Sequence, residues 1–333
     1  MKRFLFAAAF LLFAFGIANA QTYRVAQMNA EQIRALDKRK TVVILTGGIL
    51  EQHGPHLPSY SDGYVNEWRA ERLAEAITER PGWAALMFPT IPLGSGGANE
   101  IGGKYVFPGT YAVRWSTVRA IFMDLATELG EQGFRWVVVM HGHGAPHNNL
   151  ALEQAGDYFR DTYGGRMIHL VGLRPTPEQY AKAKLTVLYP ELTEAEEKEN
   201  GPDIHAGYDE TSALLFLRPD LVSPIYKQLP PLTVSSPAVQ YKIANAPDWP
   251  GYLGSPRLGN ASFGSRKMQW RAAQARAIVW AIIDGVLDER DIPRYSKSMF
   301  DNKDVVKSLE GALRDDAERV RKQRAWMRKQ GIE

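Results

Sequence analysis

Short apolar runs alternate with helically spaced apolar residues along the first half of the chain. Four runs are typical of strands that are buried on both faces, at residues 41–46, 84–91, 136–140 and 166–171. Helical spacing separates them, at residues 62–77, at 115–131 and in a segment that ends near Tyr163. This βαβ repetition predicts an α/β fold in which helices cover both faces of a mostly parallel sheet.

The second half of the chain has a weaker pattern. After one short helix, residues 222–266 are rich in Pro and Gly and are predicted to be irregular, and a long helix follows at 268–286. From about Asp304 the apolar residues recur at helical spacing, which predicts an amphipathic helix. We therefore divide the chain into a large domain, residues 21–300, and a C-terminal amphipathic helix, residues 301–333. This helix is expected to dock on the domain or on a neighbouring subunit.

The N-terminus has the composition of a secretory signal peptide. A basic start at Lys2 and Arg3 precedes an apolar run that ends at Ile17, and Ala18-Asn19-Ala20 has the small-x-small form of a cleavage site. The apolar run is too short to span a bilayer comfortably, and a retained anchor is the alternative interpretation. Residues 1–20 are therefore predicted to be removed. We expect the remaining chain to be exported, either periplasmic or secreted, with no attachment to the membrane.

Composition excludes several classes of function. The chain has no cysteine, which rules out both a disulfide framework and a thiolate site. Its formal charge of +3 includes Lys2 and Arg3, which leave with the signal peptide. No basic patch alternates with aromatic residues, so nucleic acid is not an expected partner.

Polar residues that can bind metals or transfer protons follow the predicted strands and precede the predicted helices. They form three clusters, Glu51/His53/Asp62, His141/His143/His147 and His205/Asp209/Glu210. Glu51 and His53 lie two residues apart after the first strand, so in an extended segment their side chains point to the same face. Because the carboxyl ends of parallel strands share one edge of a sheet, we expect the three clusters to meet there.

Glu, His and Asp side chains that converge on one point are typical of a divalent metal site. Mixed oxygen and nitrogen ligands suit Zn²⁺, Mn²⁺ or Fe²⁺ better than Ca²⁺. For the first cluster alone, the alternative is a solvated polar loop with surface histidines. Five of the seven histidines fall in the three clusters, however, and this concentration favours the metal site.

The sequence resembles the creatininase (creatinine amidohydrolase) family. The resemblance rests on EQHGPHLP (51–58) with Asp62, FPGT (107–110), GHG (142–144), HAG (205–207) with ETS (210–212) and, more weakly, GSPR (254–257). It implies a three-layer αβα sandwich, often assembled as a hexamer. It also implies hydrolysis of cyclic or linear amide C–N bonds other than peptide bonds, at a site with one or two divalent metal ions per subunit.

The resemblance further implies roles for individual residues. By position in the motifs, Glu51 and His143 bind one metal ion, His53 binds the other, and Asp62 bridges the two. His205 corresponds to the catalytic histidine that transfers protons in the family.

Two departures from the family pattern affect the second metal ion. Ala145 stands where creatininase itself has a glutamate ligand, and His141 replaces the usual asparagine before Gly-His. Glu210 is predicted to lie beside the metals, either as the carboxylate ligand that replaces the missing one or as the catalytic residue that orients water. Asp209 is the next candidate. We interpret His141 and His147 as supporting or surface residues, with a compensating ligand role as the alternative.

These observations predict an exported metal-dependent amidohydrolase in which metal-activated water attacks a small cyclic or linear amide. His205 is predicted to protonate the leaving nitrogen. Because of Ala145, creatinine is not the expected substrate. The alternatives are a non-catalytic exported protein that binds a metal or ligand, a metal-dependent lactonase, and a phosphoesterase. The Asn-His-Asp/Glu step that a metallophosphoesterase would need is absent. A homo-oligomer is expected, with a hexamer as the state that the resemblance implies.

Overall fold

A five-stranded parallel sheet forms the centre of the molecule. The computed structural model describes residues 21–332 apart from 102 and 104–106, so the predicted signal peptide lies outside the described residues. The strands are β1 (Gln21–Arg24), β2 (Thr41–Gly47), β3 (Ala84–Met87), β4 (Trp136–His141) and β5 (Arg166–His169). Their order in the sheet is β1-β3-β2-β4-β5, and every neighbouring pair is parallel.

Helices connect and flank the strands. Those before β5 are α1 (Ala30–Arg34), α2 (Ser61–Thr78), α3 (Ala98–Ile101), α4 (Trp115–Glu131) and α5 (Pro146–Tyr163). Those after the sheet are α6 (Pro177–Lys182), α7 (Glu194–Asn200), α8 (Tyr208–Leu217), α9 (Pro237–Asn245), α10 (Ala261–Ile283), α11 (Tyr295–Phe300) and α12 (Lys303–Lys329). In the described part of the chain, no helix combines the length and the apolar character needed to cross a membrane.

The two faces of the sheet are covered by different helices, because side chains alternate along each strand. Val42 and Ile44 of β2 belong to an apolar cluster that includes residues of α2 and α10. Val43 and Leu45 point the other way, into a cluster with residues of α4 and α5. All four β2 side chains are fully buried. The predicted three-layer αβα arrangement is therefore confirmed.

The structure differs from the sequence-based prediction mainly at the ends of elements. β3 stops at Met87, and β5 stops at His169, each a few residues earlier than the apolar runs suggest. The segment 222–266 is not wholly irregular, because it contains α9 and the first turn of α10. Helix α10 begins early because the Asn260 side chain accepts a hydrogen bond of 2.8 Å from the Phe263 amide and caps the helix.

Helix α12 lies against the rest of the molecule. It packs on α3, α9 and α11, and Val305 in its first turn is buried. Leu309, Ala312 and Leu313 on the same helix line the large cavity described below. The predicted amphipathic tail therefore forms one wall of that cavity.

Gly264 sets the distance between α8 and α10. A Cβ atom at this position would overlap the carbonyl oxygen of Ser212 in α8. We expect Gly264→Ala to lower the free energy of unfolding by about 1–3 kcal/mol, since an added methyl forces packed backbones apart. The measurement is urea unfolding. Gly311→Ala in α12 is the matched control, because its nearest neighbour is the flexible Arg314 side chain at 4.0 Å. There the change should raise stability by about 0.5–1 kcal/mol. Equal effects at the two sites would contradict this packing argument.

Candidate metal centre

The three polar clusters meet at the carboxyl edge of the sheet. Among the described residues, three groups of ligand atoms have all members within 4.8 Å of one another: Glu51/His53/His205, Glu51/Asp62/His143 and His53/Asp62/Glu210. They contain all six residues singled out as metal ligands or catalytic residues. The roles of the individual residues remain predictions, but the structure brings them together.

Local structure accounts for the position of each cluster. Glu51 and His53 lie in the turn after β2, and His143 lies just after the neighbouring strand β4. Asp62 is in the first turn of α2, and Glu210 is in the first turn of α8. Asp62 and Glu210 are therefore held by the first turns of helices, whereas Glu51, His53 and His143 lie in the connections that follow β2 and β4.

Three histidines are oriented by backbone carbonyl groups. One ring nitrogen of each lies at hydrogen-bond distance from a carbonyl oxygen: His53 Nδ1 to Glu51 (2.9 Å), His143 Nε2 to Gly96 (3.1 Å) and His205 Nε2 to Gln52 (2.7 Å). Each of these nitrogens therefore carries a proton and donates it, which leaves the other nitrogen free to act as a ligand or a base. His53 Nε2 is buried and has no hydrogen-bond partner among the described residues. A buried, unpaired nitrogen that faces carboxylates is the arrangement expected of a metal ligand.

The distances between side chains match those of shared metal ligands. His143 Nδ1 lies 3.2 Å from Glu51 Oε2 and 3.1 Å from Asp62 Oδ2. His53 Nε2 lies 3.6 Å from Glu210 Oε2. Two ligand atoms at 2.0–2.2 Å from a tetrahedral ion are separated by roughly 3.4 Å, so these spacings fit a common ion. Asp62 belongs both to the group with Glu51 and His143 and to the group with His53 and Glu210. A carboxylate that bridged two ions would need such a shared position.

Three carboxylates in a confined space give the site an excess of negative charge. Burial raises the pKa of Glu210 to about 7, and the charges of Asp62 and Glu51 act in the same direction. Burial alone would lower the pKa of His143, but Glu51 and Asp62 outweigh it and raise this pKa well above its usual value. A divalent cation would neutralise the same carboxylates, so both the electrostatics and the donor set fit a metal centre.

The described part of the glycine-rich segment 92–110 holds the ligands in place. The Ala98 amide donates a hydrogen bond to Glu51 Oε1, and the Gly96 carbonyl orients His143. The Thr110 hydroxyl accepts a hydrogen bond of 3.0 Å from the Gln52 amide, next to both ligands of the first cluster. The loop therefore fixes the geometry of the site through its backbone.

The other candidates from the sequence lie outside the ligand groups of the described residues. His141 is fully buried and donates a hydrogen bond of 3.0 Å to the Leu93 carbonyl, and burial lowers its pKa to about 4. His147 packs between the rings of Trp115 and Phe300, at the edge of the cavity. Asp209 forms an ion pair with Lys267 and belongs to none of the ligand groups found among the described residues.

Two supporting residues escaped the sequence analysis. The Gln52 carbonyl holds His205, and its side-chain oxygen accepts a hydrogen bond of 2.9 Å from the Gly54 amide. The Asn66 side chain donates to the Gly47 and Gly142 carbonyls, at 2.8 and 3.1 Å, and thus ties together the ends of β2 and β4. A signal existed for Asn66, because it lies four residues after Asp62 on the same face of α2.

Replacing Glu210 tests its predicted role at the second metal. Glu210→Gln keeps the size of the side chain and removes its charge. Because Glu210 and His53 lie in the group without Glu51 and His143, we expect one of two ions to be lost and the other retained. Metal titration followed by calorimetry measures this stoichiometry. Asp220→Asn, an exposed carboxylate just after α8, is the control and should bind as the unmodified protein does. Unchanged stoichiometry in Glu210→Gln would exclude the ligand role.

A cavity of about 810 Å³ opens onto the centre. Glu51, Asp62, His143, His205 and Glu210 all line it. Its volume falls in the range of about 300–1,000 Å³ that is usual for sites binding drug-sized molecules. The arrangement is therefore a metal centre at one end of a substrate-sized pocket.

The sequence profile of the Creatininase family, described as creatinine amidohydrolase, matches residues 26–279. The chain belongs to this family. It is 32% identical over 185 residues to the creatinine amidohydrolase of Pseudomonas putida, a match that spans 54% of this chain and 66% of that enzyme. It is 27% identical over 239 residues to the mycofactocin precursor peptide peptidase of Mycolicibacterium smegmatis, over 70% of this chain and 82% of that peptidase.

Solved creatininase structures share the fold of this creatininase-family protein. A structure described as creatininase Mn superposes with a TM-score of 0.54 at 22% identity and covers 79% of this chain and 98% of its own. A mutant creatininase of Zn-Zn type has a TM-score of 0.55 at 23% identity, over 79% and 97% of the two chains. Family membership and the ligand groups together make the protein a metal-dependent hydrolase of C–N bonds.

Proposed function

We propose that this creatininase-family protein is an exported amidohydrolase that cleaves the amide C–N bond of a small molecule at a two-metal site. The observation that carries the proposal is the position of Asp62, which belongs both to the group with Glu51 and His143 and to the group with His53 and Glu210. All members of these two groups except His53 line one substrate-sized cavity. The N-terminal sequence pattern of residues 1–20 supports the export.

The residues of the site have two roles, metal binding and proton transfer. Divalent ions, when bound, polarise the amide carbonyl and make water acidic enough to supply hydroxide near neutral pH. His205 Nε2 is held by the Gln52 carbonyl, so Nδ1 is the nitrogen that can accept the proton of the attacking water. His205 Nδ1 lies 4.0 Å from Glu51 Oε1, beside the metal ligands. The same nitrogen can then pass the proton to the leaving amine, which could not depart as an anion.

The choice of metal follows from the ligands and is supported by the relatives. Carboxylate and imidazole ligands suit Zn²⁺, Mn²⁺ and Fe²⁺. The structures of the family described above are a Mn form and a Zn-Zn form. Zn²⁺ or Mn²⁺, two ions per subunit, is therefore the first choice for reconstitution.

The substrate is proposed to be larger than creatinine. The relatives named above act on creatinine and on a precursor peptide, so the family accommodates amides of different sizes. The cavity of about 810 Å³ has room for much more than a five-membered ring. Ala145, which lines this cavity, also lacks the carboxylate that creatininase has at this position. A linear amide, or a cyclic one with further substituents, fits these observations.

Metal removal tests the proposal directly. Protein purified gently is expected to contain at least about half an equivalent of a divalent metal, as strong carboxylate and imidazole sites retain their ions. The purified protein is screened against amides, lactams, lactones and phosphate esters before and after chelation. Amide hydrolysis should disappear with the metal and return on addition of Zn²⁺ or Mn²⁺. Full activity in the metal-free state would overturn the proposal, and turnover of lactones or phosphate esters alone would replace it with those alternatives. Metal binding without turnover would support the non-catalytic binding protein.

The proposal also includes the oligomeric state of the protein and its export. A homo-oligomer, with a hexamer as the expected state, is supported by the family and by the exposed apolar side chains of α12, including Leu313 and Trp326. Light scattering of the chain without residues 1–20 tests the assembly, and fractionation of expressing cells tests the export.

A further inference from the structure

One wall of the cavity carries an arginine to which the described residues offer no acidic partner. Arg69 lies on α2, lines the cavity and is only 5% exposed. Its Nε atom is buried and has no hydrogen-bond partner in the part of the chain that the structure describes. Burial of a guanidinium costs hydration free energy, and without an acidic partner no ion pair offsets that cost. Such a group suggests that another molecule supplies the missing anion.

Two further arginines surround Arg69 and make the wall more positive. Burial, together with the positive charges of Arg271 and Arg174, lowers the pKa of Arg69 to about 9. Arg174 donates to the Val171 and Leu173 carbonyls, at 2.7 and 2.9 Å, so its charge is not neutralised by those bonds. All three arginines line the cavity.

The carboxylate that pairs with Arg271 is shared with another cation. Asp209 forms ion pairs with Lys267 and with Arg271, the latter at 3.3 Å. Asp209 is therefore already paired with two cations, and Arg69 and Arg174 add two further positive charges to the wall. This wall has more positive than negative charge, whereas the metal end of the cavity is rich in carboxylates.

Helix α2 fixes the distance between the two ends. Asp62, Asn66 and Arg69 are spaced by four and three residues, so they share one face of the helix, and all three line the cavity. Seven residues at 1.5 Å each separate Asp62 from Arg69 by about 10 Å along the helix axis. An extended peptide advances about 3.3–3.6 Å per residue, so about three residues span this distance.

We propose that Arg69, flanked by Arg174 and Arg271, binds a carboxylate of the substrate whose amide lies at the metal centre. This inference rests on the proposed amidohydrolase function and narrows its substrate. The substrate class is a short peptide, or a similar linear amide, with a free carboxylate about three residues after the bond that is cleaved. A guanidinium binds a carboxylate through two parallel hydrogen bonds, which also orients the chain toward the metals.

The first arm of the test measures hydrolysis. N-acetylated tetrapeptides with a free C-terminal carboxylate are compared with the same peptides as C-terminal amides. Arg69→Gln should reduce kcat/KM for the acids by about 10- to 100-fold, the range for losing a hydrogen bond to a charged group, and leave the amides unchanged. Arg69→Lys, which keeps the charge, should restore part of the loss. Arg72→Gln is the matched control, because Arg72 lies on the same helix, is exposed and pairs with Glu75. Equal loss for acids and amides would overturn the proposal.

The second arm measures binding and does not depend on turnover. N-acetyl-triglycine, its C-terminal amide and inorganic phosphate are titrated into the metal-loaded protein and into Arg69→Gln. The proposal requires tighter binding of the acid than of the amide, and loss of that difference in the variant. If the unmodified protein cleaves no amide but shows this difference, the function fails and the carboxylate site stands. Equal binding of acid and amide, or an Arg69-dependent preference for phosphate over the acid, would overturn the carboxylate assignment.

Thermal unfolding separates this role from a structural one. Arg69→Met removes a buried charge that has no partner and leaves a side chain of similar length. The melting temperature of the metal-loaded variant is expected to equal or exceed that of the unmodified protein while its preference for the acid is lost. A lower melting temperature together with a retained preference would show that Arg69 serves the fold instead.

Discussion

Asp62→Asn is expected to abolish two-metal binding and to slow amide hydrolysis by on the order of 10³-fold or more, since metal polarisation contributes several kcal/mol to the transition state. Asp62 is the carboxylate common to the groups Glu51/Asp62/His143 and His53/Asp62/Glu210. The asparagine side chain has one neutral oxygen and an NH₂ group, so it cannot provide the two negatively charged oxygen ligands of Asp62. Both groups lose a ligand in one substitution, so the effect should exceed that of changing Glu210.

The measurement pairs metal content with rate on the same preparation. Elemental analysis gives the number of ions per subunit, and a saturating amide assay gives kcat. Glu71→Gln is a suitable control, because Glu71 lies on the same helix but is 40% exposed and pairs with Arg24. Two ions bound to Asp62→Asn, at normal affinity, would show that Asp62 does not bridge them.

His205→Asn is expected to keep the metal content and to slow turnover by on the order of 10²- to 10⁴-fold, the range for losing a general acid or base. His205 has one nitrogen held by the Gln52 carbonyl at 2.7 Å and the other directed at the metal ligands. Asparagine is a shorter polar side chain that cannot carry a proton from water to the leaving amine. The loss should therefore appear in kcat more than in metal affinity.

The same experiment distinguishes a catalytic base from a ligand. His205 also belongs to the ligand group Glu51/His53/His205, so the geometry alone permits direct coordination. Loss of a bound ion in His205→Asn would show that His205 is a metal ligand. A normal rate of hydrolysis would show that His205 takes no part in the mechanism. The urea unfolding midpoint of the variant confirms that a lost activity does not reflect lost folding.

The sequence by itself determined the layers of the fold and most of the candidate site. Continuous apolar runs such as residues 41–46 are compatible only with strands covered on both faces, and the helical segments between them impose parallel pairing. Polar residues directly after such strands must lie at one edge of the sheet, so Glu51, His53 and His143 could be placed together from their positions alone. These placements depend on local geometry, which residues close together in the sequence determine.

Some elements were not predictable because their signals are short or polar. The edge strand β1 has only four residues, and both ends of it are exposed, so it shows no apolar run. Helix α10 begins at a capping hydrogen bond from Asn260 rather than at the first apolar residue. Such boundaries depend on individual hydrogen bonds that periodicity does not record.

The tertiary structure alone decided which polar residues face one another. His141 and His143 are two residues apart, yet β4 ends between them, and the chain turns His141 toward Phe122 and His143 toward Asp62. Glu210 reaches His53 only because α8 packs against α2 and α10. Arg69 is an ordinary polar residue in the helical pattern. Its burial, and its lack of an acidic partner within the described part of the chain, follow from long-range packing, which no local pattern encodes.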